Sequence, residues 1–164
     1  MKRIFAIVLF TFIVTLTSLQ AQAPAVPAAS PAASLYQVIG ISEVTVKYAR
    51  PSVKGRTIFG GLVPYGEVWR TGANTNTTIT LTHEATIGGV KVPAGTYGLF
   101  TIPGTSEWTV ILSKDNTSWG SGSYNQANDA ARFTVKPAKV SNVELLTFNF
   151  ESVDSDKAHL TISW

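Results

Sequence analysis

The chain has no cysteine, and that absence removes a lipoprotein anchor, a disulfide framework, a zinc-thiolate centre and a thiol nucleophile together. Histidine is almost as scarce, with only His83 and His159. A metal site needs clustered histidine, carboxylate or thiolate ligands. Glu84, next to His83, faces the other side of an extended backbone, so neither a metal nor a cofactor is expected. Charge is sparse at 14% and forms no block of one sign. With Lys2 and Arg3 set aside, the 13 basic side chains fall to 11 against 10 acidic ones, a net of +1. Nucleic acid and anionic membrane surfaces are recognised by clustered lysine and arginine, so neither is an expected partner. Helical periodicity is also missing beyond the N-terminus, and without a helix no helix N-terminus is available to hold a phosphate.

The main apolar run, Ile4 to Val14, follows Lys2 and Arg3 and precedes small residues. It falls short of the about 20 apolar residues that a membrane span requires. This layout predicts a secretory signal peptide over residues 1–21, with cleavage after Ala21 or Ala23 and no membrane span afterwards. The mature protein is expected to be exported, to the periplasm or the medium. Residues 22–34 are almost entirely alanine, proline and serine, which predicts a flexible linker. Residues 35–164 are expected to form a single domain, of a size that buries an adequate core without crosslinks.

From Leu35 onward the apolar period is 2, the period of a strand. Val44, Val46 and Tyr48 alternate with polar residues, and Leu160, Ile162 and Trp164 do so at the end. Gly88-Gly89 between two short apolar runs marks a two-residue hairpin. Lys114 to Asn128 breaks the alternation and holds Trp119 and Tyr124. It reads as a flap over a site or as an anchored omega-type loop. About nine short strands separated by turn signals predict an all-β fold, an antiparallel, jelly-roll-like β-sandwich.

The densest stretch is Val63-Pro64-Tyr65-Gly66-Glu67-Val68-Trp69-Arg70-Thr71-Gly72-Ala73-Asn74. Val63-Pro64-Tyr65-Gly66 suits a type I turn. Gly72 is the residue expected to take a positive backbone angle, and Asn74 is expected to tie its side chain to nearby amides. Adjacent on an extended backbone, Trp69 and Arg70 face opposite sides. One reading makes Arg70 a planar fork for a carboxylate, phosphate or sugar hydroxyl. The other pairs it with Glu67 or another acid and leaves Trp69 as a core plug.

These stretches resemble a bacterial family of exported proteins known as domain of unknown function 2911. The resemblance runs from about Tyr36 to the C-terminus. It rests on Tyr48-Ala49-Arg50-Pro51-Ser52-Val53-Lys54-Gly55-Arg56, on the Val63 to Asn74 stretch, on Pro93-Ala94-Gly95-Thr96-Tyr97-Gly98-Leu99-Phe100-Thr101-Ile102-Pro103-Gly104, and on Trp119-Gly120. Glu84 stands where the family more often has aspartate. Family members usually continue past the last tryptophan into one more apolar strand, so an exposed edge is expected. The resemblance implies an all-β exported domain and brings no catalytic residue with it.

Catalytic patterns are weak. Ser52, Ser121 and Ser123 occupy no nucleophile elbow, and no spacing selects a carboxylate pair among Glu67, Glu84, Glu107 and Asp129. A ligand-binding surface of Arg50, Arg56, Tyr65, Trp69, Arg70, Asn74 and Trp119 remains, suited to a small anionic or sugar ligand. The alternatives are a structural domain that meets a protein partner through an open sheet edge, and a metal-free hydrolase.

Overall fold

Strict alternation becomes strand wherever one face finds a core to cover it. The computed structural model describes residues 26–164; the expected signal peptide and residues 22–25 lie outside them. The strands in chain order are β1 (Ala32–Ile39), β2 (Ser42–Ala49), β3 (Thr78–Leu81), β4 (Ala85–Ile87), β5 (Val90–Val92), β6 (Gly95–Ile102), β7 (Trp108–Ser113), β8 (Asp129–Val135), β9 (Thr147–Glu151) and β10 (His159–Ser163). Among the described residues the fold is all-β as expected, with ten strands and one 3₁₀ turn, Gln126–Asn128.

Six strands form one sheet in the order β1-β2-β3-β6-β7-β8, and every neighbouring pair is antiparallel. The layer facing it consists of two ribbons, β9 with β10 and β4 with β5. Val44, Val46, Ile79, Leu81, Leu99 and Leu112 of the sheet share a core with Leu146, Phe148 and Val92 from the ribbon side. Each fully buried side chain of this kind contributes about 1.5–3 kcal/mol. Tyr48 meets Phe148 edge-on at 4.6 Å, and its hydroxyl accepts the Phe148 N–H at 3.3 Å.

β1 starts earlier than the alternation suggested. Ala32, Ala33 and Ser34 pair with Ala49, Tyr48 and Lys47, so the strand reaches three residues into the stretch read as linker. The cause is that a ladder needs backbone groups, which small residues supply as well as large ones. Further out, the Arg50 N–H donates to the Pro31 carbonyl at 2.8 Å.

The loop between β7 and β8 is anchored. On the sheet face opposite the main core, Phe100 and Ile111 lie across from each other and are 1% and 0% exposed. The Tyr124 ring covers Phe100 at a centroid distance of 5.4 Å. The Asn116 amide donates to the Thr96 carbonyl at 2.8 Å, and the Ser118 hydroxyl donates to the Asp115 carboxylate. That bond and the Thr117 N–H hold the Asp115 carboxyl below its ordinary pKa. Burial raises the Tyr124 phenol, helped by the neighbouring Asp129 carboxylate.

The Gly88-Gly89 hairpin forms with φ of +58° and +82°, the two positive angles of a type I′ turn. A Cβ on Gly88 would overlap the Phe133 ring of β8, whereas one on Gly89 would meet nothing within 4 Å. Gly89→Ala is therefore expected to cost about 1–2 kcal/mol, the left-handed penalty alone. Gly88→Ala is expected to cost about 1–3 kcal/mol more through the clash. Urea unfolding of both variants checks the difference, and equal midpoints would show that the hairpin does not rest on β8.

Candidate functional site

The Val63 to Asn74 stretch shares a lane of the sheet with β3. Trp69 exchanges both backbone hydrogen bonds with Thr101 of β6, at 2.8 and 2.9 Å. Further along the same edge of β6, the Leu99 N–H donates to the Thr77 carbonyl at 2.8 Å and Thr78 pairs with Gly98. Residues 70–76 are therefore an excursion that leaves the β6 edge and returns to it. The preceding reversal falls on Tyr65-Gly66, one residue later than expected, with Gly66 at φ +79°.

Three threonines, each 0% exposed, hold the excursion. The Thr77 hydroxyl donates to the Thr71 carbonyl at 2.9 Å, and the Thr71 hydroxyl donates to the Trp69 carbonyl at 3.3 Å. The Thr71 and Thr101 hydroxyls are 3.1 Å apart. Because Thr71 has already given its single proton, Thr101 is the donor there. The positive angles of the excursion fall on Thr71, at φ +54°, and Asn74, and not on Gly72 as expected. A β-branched side chain is strained in that region. Gly72 is needed for a different reason: a Cβ there would stand 2.6 Å from the Thr77 hydroxyl. Thr71→Val keeps the shape and strands the Thr101 hydroxyl, so it is expected to cost about 1–2 kcal/mol in thermal unfolding.

Beside this excursion lies a cleft of about 380 Å³, lined by Lys54, Arg56, Arg70, Trp69 and Trp164. No aspartate or glutamate side chain lines it. The Trp69 and Trp164 rings stack at 5.8 Å and 15°, and Phe59 meets both edge-on at 5.9 and 6.4 Å. The Trp69 indole N–H is satisfied by the Gly72 carbonyl at 3.2 Å. Two other N–H groups of cleft residues are not satisfied. Arg70 Nε and Trp164 Nε1 are buried and have no hydrogen-bond partner among the described residues.

The arginines expected to converge separate into two roles. Arg50 does not line the cleft: its Nε donates to the Leu146 carbonyl at 3.0 Å and a terminal nitrogen donates to Thr147 Oγ1 at 2.8 Å. It fastens β2 to the approach of β9. Arg56 lines the cleft, folded onto the Val53 and Ser52 carbonyls at 3.0 and 2.5 Å. Arg70 pairs with no carboxylate among the described residues, Glu67 included. The expected patch of three guanidiniums is thus two guanidiniums and the Lys54 ammonium.

The remaining expected residues lie around the cleft, not in it. Tyr65 is 45% exposed and packs its ring against Gly60. Asn74, at φ +61°, donates its amide to the Ser30 carbonyl at 3.2 Å, not to a neighbouring amide. Trp119 is 71% exposed, with its backbone bridged to Thr75. The Asn76 amide, turned with its nitrogen toward that loop, donates to the Ser118 and Gly120 carbonyls at 2.9 and 3.1 Å. A Cβ on Gly120 would stand 3.4 Å from Arg70 Nη1, so the Trp119-Gly120 loop backs the guanidinium. Lys54 and Trp164 were missed. Lys54 has the same loop as Arg56 as its signal, and Trp164 has an indole N–H that a core position leaves in need of an acceptor.

Among the described residues no three histidine, aspartate or glutamate side chains are grouped to hold a metal ion, and Glu84 faces Lys91 at 3.8 Å. Asp129 accepts from the Tyr124 hydroxyl and from Arg132. None of the described helices is long and apolar enough to cross a membrane.

An all-β domain with a six-stranded sheet, two facing ribbons and a basic, aromatic-walled cleft is the class that fold and site define. The chain belongs to the family described as Protein of unknown function (DUF2911), whose model matches residues 30–164, from just before β1 to the last residue. No curated protein and no solved structure matches it.

Proposed function

We propose that this protein is an exported, non-enzymatic binding module for a small anion with an apolar face, such as a sugar acid. The observation that carries the reading is the pair of buried, unpartnered N–H groups on Arg70 and Trp164, both cleft residues, with no acidic side chain alongside. A buried donor without an acceptor costs about 1–3 kcal/mol. An incoming carboxylate or phosphate relieves that cost once a small shift of the guanidinium admits it. Lys54 and Arg56 add attraction at the rim, and the stacked Trp69 and Trp164 rings offer a wall for an apolar face. Export is supported by the basic, apolar and small-residue order of the first 21 residues.

A thermal-shift screen with sulfate, inorganic phosphate, glucuronate and galacturonate tests the reading. A ligand at 100 times its dissociation constant stabilises by about 2.7 kcal/mol, a rise on the order of 8 °C for a domain of this size. The rise is expected to vanish in Arg70→Ala. No shift from any of the four, or an equal shift in the variant, removes the proposal.

A second reading, a protein-interaction domain, is favoured by β1. It is an edge strand of eight residues without a charged residue or proline, and it exposes Tyr36 and Val38. Edge strands are ordinarily protected by such residues. Concentration-dependent self-association or capture of an envelope protein, abolished by Val38→Lys, supports it; a monomer that captures nothing retires it.

A further inference from the structure

A second cleft adjoins the first. It measures about 430 Å³ and is lined by Lys47, Tyr48, Asn74, Thr75 and Asn76, again with no acidic side chain. The two clefts follow one another along a single loop, because Gly72 and Ala73 line the first and Asn74 and Thr75 the second. What parts them is the Asn74 amide bound to the Ser30 carbonyl. Arg70 lines the first cleft while its Nη1 lies against the Trp119-Gly120 loop. Trp119, whose backbone pairs with Thr75 of the second cleft, leaves most of its indole in solvent.

Trp119 presents a large aromatic ring to solvent from a backbone that is tied on both sides. Here Thr75 and Asn76 hold the loop from one side and the Asp115, Asn116 and Tyr124 contacts hold it from the other. Little ordering is then needed before the ring stacks on a ligand.

The geometry points to a ligand that is a chain, an acidic oligosaccharide of at least two rings. One carboxylate-bearing ring sits in the Arg70 cleft, and the next lies along Asn74 and Thr75 beside the Trp119 indole. Both clefts carry cations, Arg70, Arg56 and Lys54 in one and Lys47 in the other, which matches a charge repeated along the ligand. A compact anion such as phosphate fills only the first. This inference rests on the anion-binding reading above and deepens it.

Calorimetric titration of the protein produced from its full-length sequence with galacturonates of one to four rings tests it. Affinity is expected to rise about tenfold from one ring to two. Trp119→Ala is expected to abolish that rise while the fold, read by circular dichroism, is kept. Galacturonate bound in an Arg70-dependent way with equal affinity at every length overturns the chain-ligand inference and leaves the anion-binding reading standing. Binding of no galacturonate and no simple anion overturns both. Tetraglutamate bound as tightly as the four-ring galacturonate overturns the carbohydrate assignment, and an equal loss at every length in Trp119→Ala overturns the second subsite.

Discussion

Phe100→Ala is expected to lower stability by about 3–5 kcal/mol, among the largest effects of any single truncation in this domain. Phe100 is 1% exposed yet lies outside the main core, on the opposite face of the sheet with Ile111. Its cover is the Lys114 to Asn128 loop, chiefly the Tyr124 ring. Removing the phenyl ring leaves a cavity and also takes away what that loop rests on. Thermal unfolding is expected to fall by on the order of 10 °C. Hydrogen exchange is the sharper measurement: protection lost over residues 114–128 well before β9 and β10 is the expected pattern. Uniform loss across the chain would show that the loop is not held by this second core.

Arg70→Ala is expected to weaken binding of the anion that gives the largest thermal shift by about 100-fold or more, the effect of truncating one partner of a buried charge pair. Arg70→Lys keeps the charge but loses the planar fork, so an intermediate loss is expected. Stability is expected to move little in Arg70→Ala, because the variant removes a buried nitrogen without a partner. Arg50→Ala is expected to do the opposite. It strands the Leu146 carbonyl and leaves the Thr147 hydroxyl only its bond to the Leu145 carbonyl, at a cost of about 1–3 kcal/mol, and leaves ligand affinity nearly intact. Denaturation and titration of both variants side by side separate the two roles. Loss of stability in Arg70→Ala matching that in Arg50→Ala would make Arg70 a structural residue.

The strands were legible because alternation reports directly on which side of a strand meets the core. Val44, Val46 and Tyr48 are buried as their spacing implied. β1 was legible only in part: Ala32 and Ala33 carry little apolar signal, and they are drawn in by backbone pairing with β2, with Ala33 packed against the core. The site loop was visible as an unusual density of arginine, tryptophan and asparagine, but the division of labour between its arginines was not. Arg50 finds its acceptors 96 and 97 residues away, a relation that no local pattern carries. Arg70 differs from it only by what fails to arrive. The placement of the positive angle on Thr71 was hidden for a similar reason, since the Thr77 hydroxyl reserves the space that makes Gly72 a glycine.

The return of residues 70–76 to the β6 edge has an engineering consequence. Both flanks are locked, one by the Trp69–Thr101 bridge and the other by the Thr77 and Thr78 contacts, so registry downstream does not depend on how many residues lie between them. Within the excursion the Asn74 amide still ties to the Ser30 carbonyl and the Thr75 backbone to Trp119, so Ala73 is the position where substitution or insertion is expected to disturb the framework least. Variation at Ala73 is then a direct way to reshape the cleft wall on a cysteine-free scaffold.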